Sequence, residues 1–185
     1  MWEPTRQIRG PSFQIDTNRI NARGKEQHMN KLYEWRDDGV INISMSETAF
    51  YEALKGNNQA RIDKTCENNY TFDPDHYEKD EEMYKKLESI LFPEGAKGQN
   101  QVNDVLIVLQ AFKNHYILIT NDGGSKSQPE GIIGKAVQLR EIGITVMRDN
   151  EAVEYVNEKI NERDELASQF SLHFDKPLPE WVGKD

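Results

Sequence analysis

The chain has 185 residues, a net charge of −9 and 36% hydrophobic residues, a length that suits one domain. Its apolar runs exclude disorder throughout, and none of them approaches the roughly 20 residues of a membrane span. Cys66 is the single cysteine, which excludes an internal disulfide, and the N-terminus lacks the apolar core of a signal peptide. We therefore expect a cytoplasmic protein that has no membrane partner. The negative charge argues against a general nucleic-acid coat protein.

In chain order, the residue pattern predicts strands that alternate with helices. The predicted strands are 13–16, 40–46, 116–122 and 144–148. The predicted helices are 25–39, 46–56, 74–95, 99–115, 129–143 and 149–170. This alternation indicates a mainly parallel α/β sheet flanked by helices. We expect one domain over 1–170, with 57–98 as a helical insertion and 171–185 as an irregular C-terminal tail.

Four acidic residues stand beside the predicted buried elements. Asp16 closes the first strand, Glu47 follows the second, Asp122 closes the third, and Asp104 begins the apolar helix. Taken singly, each of them is more simply a helix cap or a turn residue. Parallel strands, however, end at one edge of a sheet, where ligands bind. Four carboxylates gathered there would raise one another's pKa, so the set favours a hard cation, Mg²⁺ or Mn²⁺.

A carboxylate-bound divalent cation usually serves phosphate chemistry, and the residues beside the acids suit that chemistry. The candidates for holding the attacking water or supporting contacts are Asn18, Thr120, Asn121 and Ser125. The candidates for holding flanking phosphates are Arg19, Arg23, Lys25 and Lys126. For each of these residues, a solvated surface position is the alternative interpretation.

The order and spacing of the four acids resemble those of PIN domains, a family of metal-dependent ribonucleases. The resemblance covers roughly 13–56 and 100–157. Its motifs are Ile15-Asp16-Thr17-Asn18, Ser46-Glu47, Asp104 in NDVLIVLQA, Thr120-Asn121-Asp122, and the final ITVMRDNEAVEYV. The resemblance implies a three-layer PIN-like fold whose central, mainly parallel sheet carries the acids at one edge.

The resemblance also implies an activity, which is cleavage of single-stranded RNA with one or two Mg²⁺ or Mn²⁺ ions. Asp16, Glu47, Asp104 and Asp122 would then be the metal ligands and catalytic residues. The substrate-binding residues would be Asn18, Arg19, Thr120, Asn121 and Ser125. Many bacterial members are toxins held inactive by a cognate antitoxin, and many dimerise, so an antitoxin or regulatory protein and a homodimer are the implied partners. Gly123, Gly124 and Ser125 follow Asp122 where the family often has a further acid, which favours one firmly bound metal.

Other interpretations place acids at strand ends as well. A haloacid-dehalogenase-type phosphatase needs a second Asp two residues after the first, and that position is Asn18. A response-regulator receiver needs an acidic pair that is missing before FQIDTN. The stronger alternative is a catalytically weak PIN-like scaffold or RNA-binding module, with partners docked on the acidic 60–95 or 149–170 segments. The presence of all four acids favours the enzyme.

Overall fold

The protein is built around a small parallel sheet, which a computed structural model describes together with its helices. The structure describes residues 3–20, 22, 24–55, 58–67, 82–123 and 130–185. The strands are β1 Phe13–Ile15, β2 Ile43–Met45, β3 Ile117–Ile119 and β4 Val146–Met147. They lie in the order β2-β1-β3-β4, and every pairing is parallel. The predicted α/β class and its parallel sheet are confirmed.

Eight α-helices accompany the sheet within the described ranges. They are α1 Thr17–Ile20, α2 Gln27–Asp37, α3 Glu47–Lys55, α4 Gln59–Glu67, α5 Glu82–Leu91, α6 Gln99–Lys113, α7 Ala136–Glu141 and α8 Asp149–Phe174. A 3₁₀ turn, Ile133–Lys135, takes the first part of the helix predicted over 129–143. The helices α1 and α4 were not predicted, and residues 68–81 of the insertion lie outside the described residues. Among the helices described, none combines the length and apolar character needed to cross a membrane.

Helices pack on both faces of the sheet because successive strand residues point in opposite directions. The ring of Phe13 contacts Tyr155 of α8 edge to face, with centroids 6.1 Å apart. The next residue, Gln14, points the other way and donates a 2.8 Å hydrogen bond from Nε2 to the Ile107 carbonyl of α6. The helix α2 packs with α8, whereas α3 and α5 pack with α6. The arrangement is compatible with a three-layer α/β architecture.

The strand order creates a switch point between β1 and β3. From β1 the chain passes to β2 on one side, and from β2 it crosses β1 to reach β3 on the other side. The connections that leave β1 and β3 therefore diverge, which opens a crevice outside the carboxyl ends of these two strands. The residues that directly follow β1 and β3 are Asp16 and Thr120. The fold thus places two of the predicted site residues at this crevice.

A buried ion cluster fastens the segment before β1 to α8. The Asp185 carboxylate accepts hydrogen bonds from Arg6, at 3.1 Å from Nε and 2.5 Å from Nη2, and lies 2.9 Å from Arg163 Nη2. Arg163 stacks over the Trp181 ring with its Cζ 4.6 Å from the ring centroid. Burial alone would raise the pKa of the Asp185 carboxyl, but the bonds from the two arginines outweigh it and lower that pKa. The cluster holds the N-terminal and C-terminal segments against one helix.

The Asp185 cluster should make a pH-dependent contribution to stability. We expect Asp185→Asn to lower the free energy of unfolding by about 2 kcal/mol at pH 7, since two arginines lose their shared counter-charge. The folded-state pKa is lowered, so the contribution exists above about pH 4 and disappears as pH falls through the folded-state pKa. Denaturant unfolding at pH 7 and near pH 2 measures the difference, with the exposed Glu180→Gln as control. An equal loss at both pH values would contradict the assigned ion pairs.

Candidate functional site

Asp16 is a buried carboxylic acid at the carboxyl end of the central strand β1. It is 5% exposed, and its backbone N–H donates to the Ile119 carbonyl of β3 at 3.1 Å. Its Oδ2 atom accepts hydrogen bonds from the Thr120 hydroxyl at 2.7 Å and from Asn18 Nδ2 at 2.5 Å. Burial raises its pKa to about 6, although the hydrogen bonds from Thr120 and the Thr17 backbone act in the opposite direction. Neighbouring charges on Glu52 and Asp122 raise the pKa further.

Asp104 faces the same edge from α6 and is the most strongly perturbed acid there. Burial raises its pKa to about 8, and the charges of Asp16, Asp122 and Glu52 add to the shift in that order. At neutral pH the carboxyl therefore retains its proton for much of the time. Among the described residues, no basic side chain is a cause of either shift, so none of them relieves the repulsion between these acids.

From α3, the structure brings Glu52 into this group, and the role expected of Glu47 stays a prediction. Glu52 Oε2 accepts from the Thr17 hydroxyl at 2.8 Å, and Oε1 accepts from Asn103 Nδ2 at 2.7 Å. These bonds hold Glu52 between the end of β1 and the first turns of α6. Its charge raises the pKa of both Asp16 and Asp104. We call Asp16, Glu52, Asp104 and Asp122 the acidic cluster.

Asp122 completes the acidic cluster from the loop after β3, and it also has a structural role. Its Oδ2 accepts a 3.0 Å hydrogen bond from the Ile132 backbone N–H, and its carbonyl accepts from the Ile133 N–H at 3.1 Å. Its own N–H donates to the Thr120 hydroxyl at 3.0 Å. Asp122 therefore anchors the loop after β3, and its charge also raises the pKa of Asp16 and Asp104.

The described polar residues that were predicted beside the acids make hydrogen bonds to the acidic cluster or to each other. Thr120 is fully buried and bonds Asp16, so it orients that carboxylate and does not lie at the surface. Asn18 is exposed but bonds Asp16 and Thr120, and its Oδ1 accepts from the Asn121 backbone N–H at 3.3 Å. Asn121 Nδ2 donates to Asp149 Oδ1 at 3.2 Å. The predicted Ser125 lies outside the described residues.

The basic residues predicted to hold phosphates differ in their exposure to solvent. Arg19 is 7% exposed and pairs with Glu26 and Asp149, a position that does not favour contact with a substrate. Lys25 is exposed, while Arg23 and Lys126 lie outside the described residues. Arg148 was not predicted, yet it follows β4 at the same edge of the sheet. Its Nη2 atom lies 3.9 Å from where a Cβ on Gly123 would stand.

The acidic cluster offers donor atoms of the kind that bind a divalent cation. In the described part of the chain, no three Asp, Glu, His or Cys side chains already converge as a ligand cage. The donor chemistry nonetheless suits a hard cation, because the cluster offers carboxylate oxygens whose mutual repulsion an ion would relieve. Asn121 Oδ1 adds a buried amide oxygen that has no hydrogen-bond partner among the described residues. The residues therefore fit Mg²⁺ or Mn²⁺, with side-chain adjustment on binding.

Sequence reasoning missed three polar residues of the site. They are Glu52, Asn103 and Asp149. A signal for Glu52 exists in the helix pattern: at about 100° per residue, Glu52 projects about 80° from the direction of the buried Ala49 and Ala53, and Glu47 about 140°. The helical period thus favours Glu52 as the inward-facing acid. Asn103 precedes Asp104, and Asp149 opens α8. The sequence around each of them is equally consistent with an ordinary polar residue at the start of a helix.

The raised pKa of Asp104 predicts that its charge destabilises the cation-free protein. Its folded-state pKa lies above the ordinary value, so full stability is present below about pH 4 and is lost as pH rises towards 8. We expect Asp104→Asn to raise the free energy of unfolding by about 2 kcal/mol at pH 8 in EDTA, and by less at pH 5. Denaturant unfolding measures this, with the exposed Glu141→Gln as control. A destabilising effect of Asp104→Asn at pH 8 would contradict the assignment.

No protein-family model matches the sequence, and no curated protein matches it either. The acidic cluster is therefore identified as a candidate site by its own geometry. It lies at the switch point of a parallel sheet, it combines acids from β1, α3, α6 and the loop after β3, and burial raises the pKa of two of its members.

Proposed function

We propose that the protein is a PIN-like, Mg²⁺- or Mn²⁺-dependent endoribonuclease that cleaves single-stranded RNA. The observation that carries the proposal is the acidic cluster at the β1–β3 switch point, where neighbouring carboxylates raise the pKa of Asp16 and Asp104 and no basic side chain of the described residues lowers it. A cluster of this kind is costly for folding unless it binds a cation. Hard cations held by carboxylates most often act on phosphate groups.

Each member of the acidic cluster has a role in the proposal. Asp16, Glu52, Asp104 and Asp122 would hold the cation, which when bound supplies Lewis-acid activation of a phosphodiester and of the attacking water. Thr120 orients Asp16 through its hydroxyl, at 2.7 Å. Thr17 and Asn103 fix the two oxygens of Glu52. The carboxylates are thereby held on β1, α3 and α6, elements that pack in the body of the protein.

The PIN-like assignment draws support from the order of the acids along the chain and from their positions in the fold. The motifs at Asp16-Thr17-Asn18 and Thr120-Asn121-Asp122 follow neighbouring parallel strands. Asp104, on α6, interacts with the acids at the same edge of the sheet. Glu47 and Glu52 both lie on the helix that follows β2, so either choice takes the second acid from that helix. The chain thus supplies one acid from each element that the resemblance requires.

Comparison of Glu52→Gln with Glu47→Gln tests the proposal and the choice of Glu52 as a ligand together. Both glutamates are half-buried on α3, and the charge of Glu52 raises the pKa of Asp16 and of Asp104. We expect Glu52→Gln to lower cleavage of labelled single-stranded RNA in Mn²⁺ by at least about 100-fold, because one donor to the cation is lost. Glu47→Gln should retain activity within about threefold.

Asp16→Asn and EDTA complete this measurement. EDTA should abolish cleavage by the wild-type protein, and the Asp16→Asn variant should not cleave RNA even in Mn²⁺. Cleavage that survives Asp16→Asn and EDTA would come from another site or another protein. The absence of cleavage in any divalent cation, in wild type that still binds Mn²⁺, would favour the scaffold or RNA-binding module over the enzyme. Equal losses in the two glutamate variants would contradict the choice of Glu52.

Arg148 is the described cation best placed to hold an RNA phosphate beside the acidic cluster. It is exposed at the end of β4, and its guanidinium reaches Gly123, the residue after Asp122. We expect Arg148→Ala to raise KM for RNA about tenfold with little change in kcat, and to reduce the salt dependence of binding by about one phosphate contact. Arg140→Ala, an exposed position on α7, is the control. A fall in kcat alone would contradict the phosphate-holding role.

A further inference from the structure

We propose that Arg19 is a positioning residue that fixes the Asn18 amide on Asp16 and Thr120 and thereby connects the acidic cluster to Asp149 at the start of α8. The inference rests on the proposed function for its role towards a cation. The hydrogen-bond geometry that it describes belongs to the chain itself. Sequence analysis gave Arg19 a different role, that of holding a substrate phosphate.

The donors around Asn18 determine which way its amide points. Arg19 Nε lies 2.6 Å from Asn18 Oδ1, and the guanidinium can only donate. The Asn121 backbone N–H, also a donor, lies 3.3 Å from the same oxygen. Because Oδ1 is held by two donors, Nδ2 must face the other side. There it donates to Asp16 Oδ2 at 2.5 Å and to Thr120 Oγ1 at 3.0 Å.

The hydroxyl of Thr120 depends on this orientation. It donates to Asp16 Oδ2 at 2.7 Å, and it accepts from Asn18 Nδ2 and from the Asp122 N–H at 3.0 Å each. Two donors thus converge on one oxygen of Asp16, and neither bond uses the other oxygen, Oδ1. If the Asn18 amide were reversed, its oxygen would face Asp16 and repel it. The guanidinium of Arg19 prevents that reversal.

Arg19 is itself held rigidly by two carboxylates. Its Nη1 lies 2.8 Å from Glu26 Oε2 and 3.5 Å from Asp149 Oδ2, and its side chain is 9% exposed. Asp149 is likewise buried, and its other oxygen accepts from Asn121 Nδ2 at 3.2 Å and from the Asn150 N–H at 3.1 Å. The positive charge of Arg19 is therefore paired with two carboxylates that do not belong to the acidic cluster. Its effect on Asp16 is transmitted through the amide of Asn18.

A lysine in place of Arg19 separates the effect of its positive charge from the effect of its hydrogen bond to Asn18. Arg19→Lys keeps a cation opposite Glu26 and Asp149 but lacks the planar fork and the Nε–H that holds Asn18. Arg163→Lys is the matched control, because Arg163 is also a buried arginine paired with carboxylates and lies in the remote Asp185 cluster. Asn18→Ala, a change at an exposed position, removes the amide without altering a buried charge.

Two measurements on the full chain test the inference, and the first needs no cation. In metal-free protein, NMR cross-peaks between the Asn18 side-chain amide protons and the Thr120 methyl should be present in wild type and Arg163→Lys and lost in Arg19→Lys. The second is calorimetric titration with Mn²⁺. Arg19→Lys and Asn18→Ala should each weaken Mn²⁺ binding about tenfold, the double variant should lose no more than either single one, and Arg163→Lys should bind as wild type does.

The outcomes distinguish this inference from the proposed function. Retention of the Asn18–Thr120 cross-peaks in Arg19→Lys overturns the inference, whatever the titration shows. Additive losses of Mn²⁺ affinity in the double variant overturn it as well, because Arg19 would then act independently of Asn18. If wild type binds no Mn²⁺ while the cross-peaks behave as expected, the proposed function fails and the positioning role of Arg19 stands.

Discussion

The structure of the site depends on one unfavourable interaction, the burial of the Asp16 carboxyl among other acids. Its side chain accepts hydrogen bonds from neutral groups, namely Thr120, Asn18 and the Thr17 backbone. Neutral donors stabilise the charged form only partly, so burial and the neighbouring acids still raise the pKa to about 6. The remaining features of the site arrange these donors and acids around that one group.

The parallel sheet explains how acids that are far apart in sequence meet. Strands β1 and β3 are neighbours, so Asp16 and the Thr120–Asp122 segment leave the sheet side by side. Helices α3 and α6 pack together on the face towards which Gln14 points, and they bring Glu52 and Asp104 to the same edge. Asn103 bridges the two helices by its bond to Glu52. The site is therefore a consequence of topology and needs no specialised loop to assemble it.

The parts of the site that sequence predicted are those with a local signal. Asp16 and Asp122 follow apolar runs that form strands, and Asp104 begins an apolar helix, so the chain order alone brings them to one edge. To predict Glu52, one must know which face of α3 is buried. The positions of Ala49 and Ala53 show that Glu52 lies closer to that face than Glu47 does. The burial of Arg19 depends on Asp149, which lies 130 residues away, and no short-range pattern carries that pairing. Helix α4 was missed because its sequence, QARIDKTCE, is mostly polar and contains few apolar residues that could mark a buried face.

The charge of Arg19 shows why the acidic cluster retains its negative potential. An arginine three residues from Asp16 would ordinarily neutralise it, but here the guanidinium faces Glu26 and Asp149. Its charge is thus compensated elsewhere, and only an amide dipole reaches Asp16. Because Arg19 is paired with these two carboxylates, relief of the repulsion among Asp16, Asp104 and their neighbours would, under the proposed function, come from protons or from a bound cation. Proton uptake lowers the affinity for the cation, so the two are in competition, and cation binding should strengthen as pH rises through the raised pKa values.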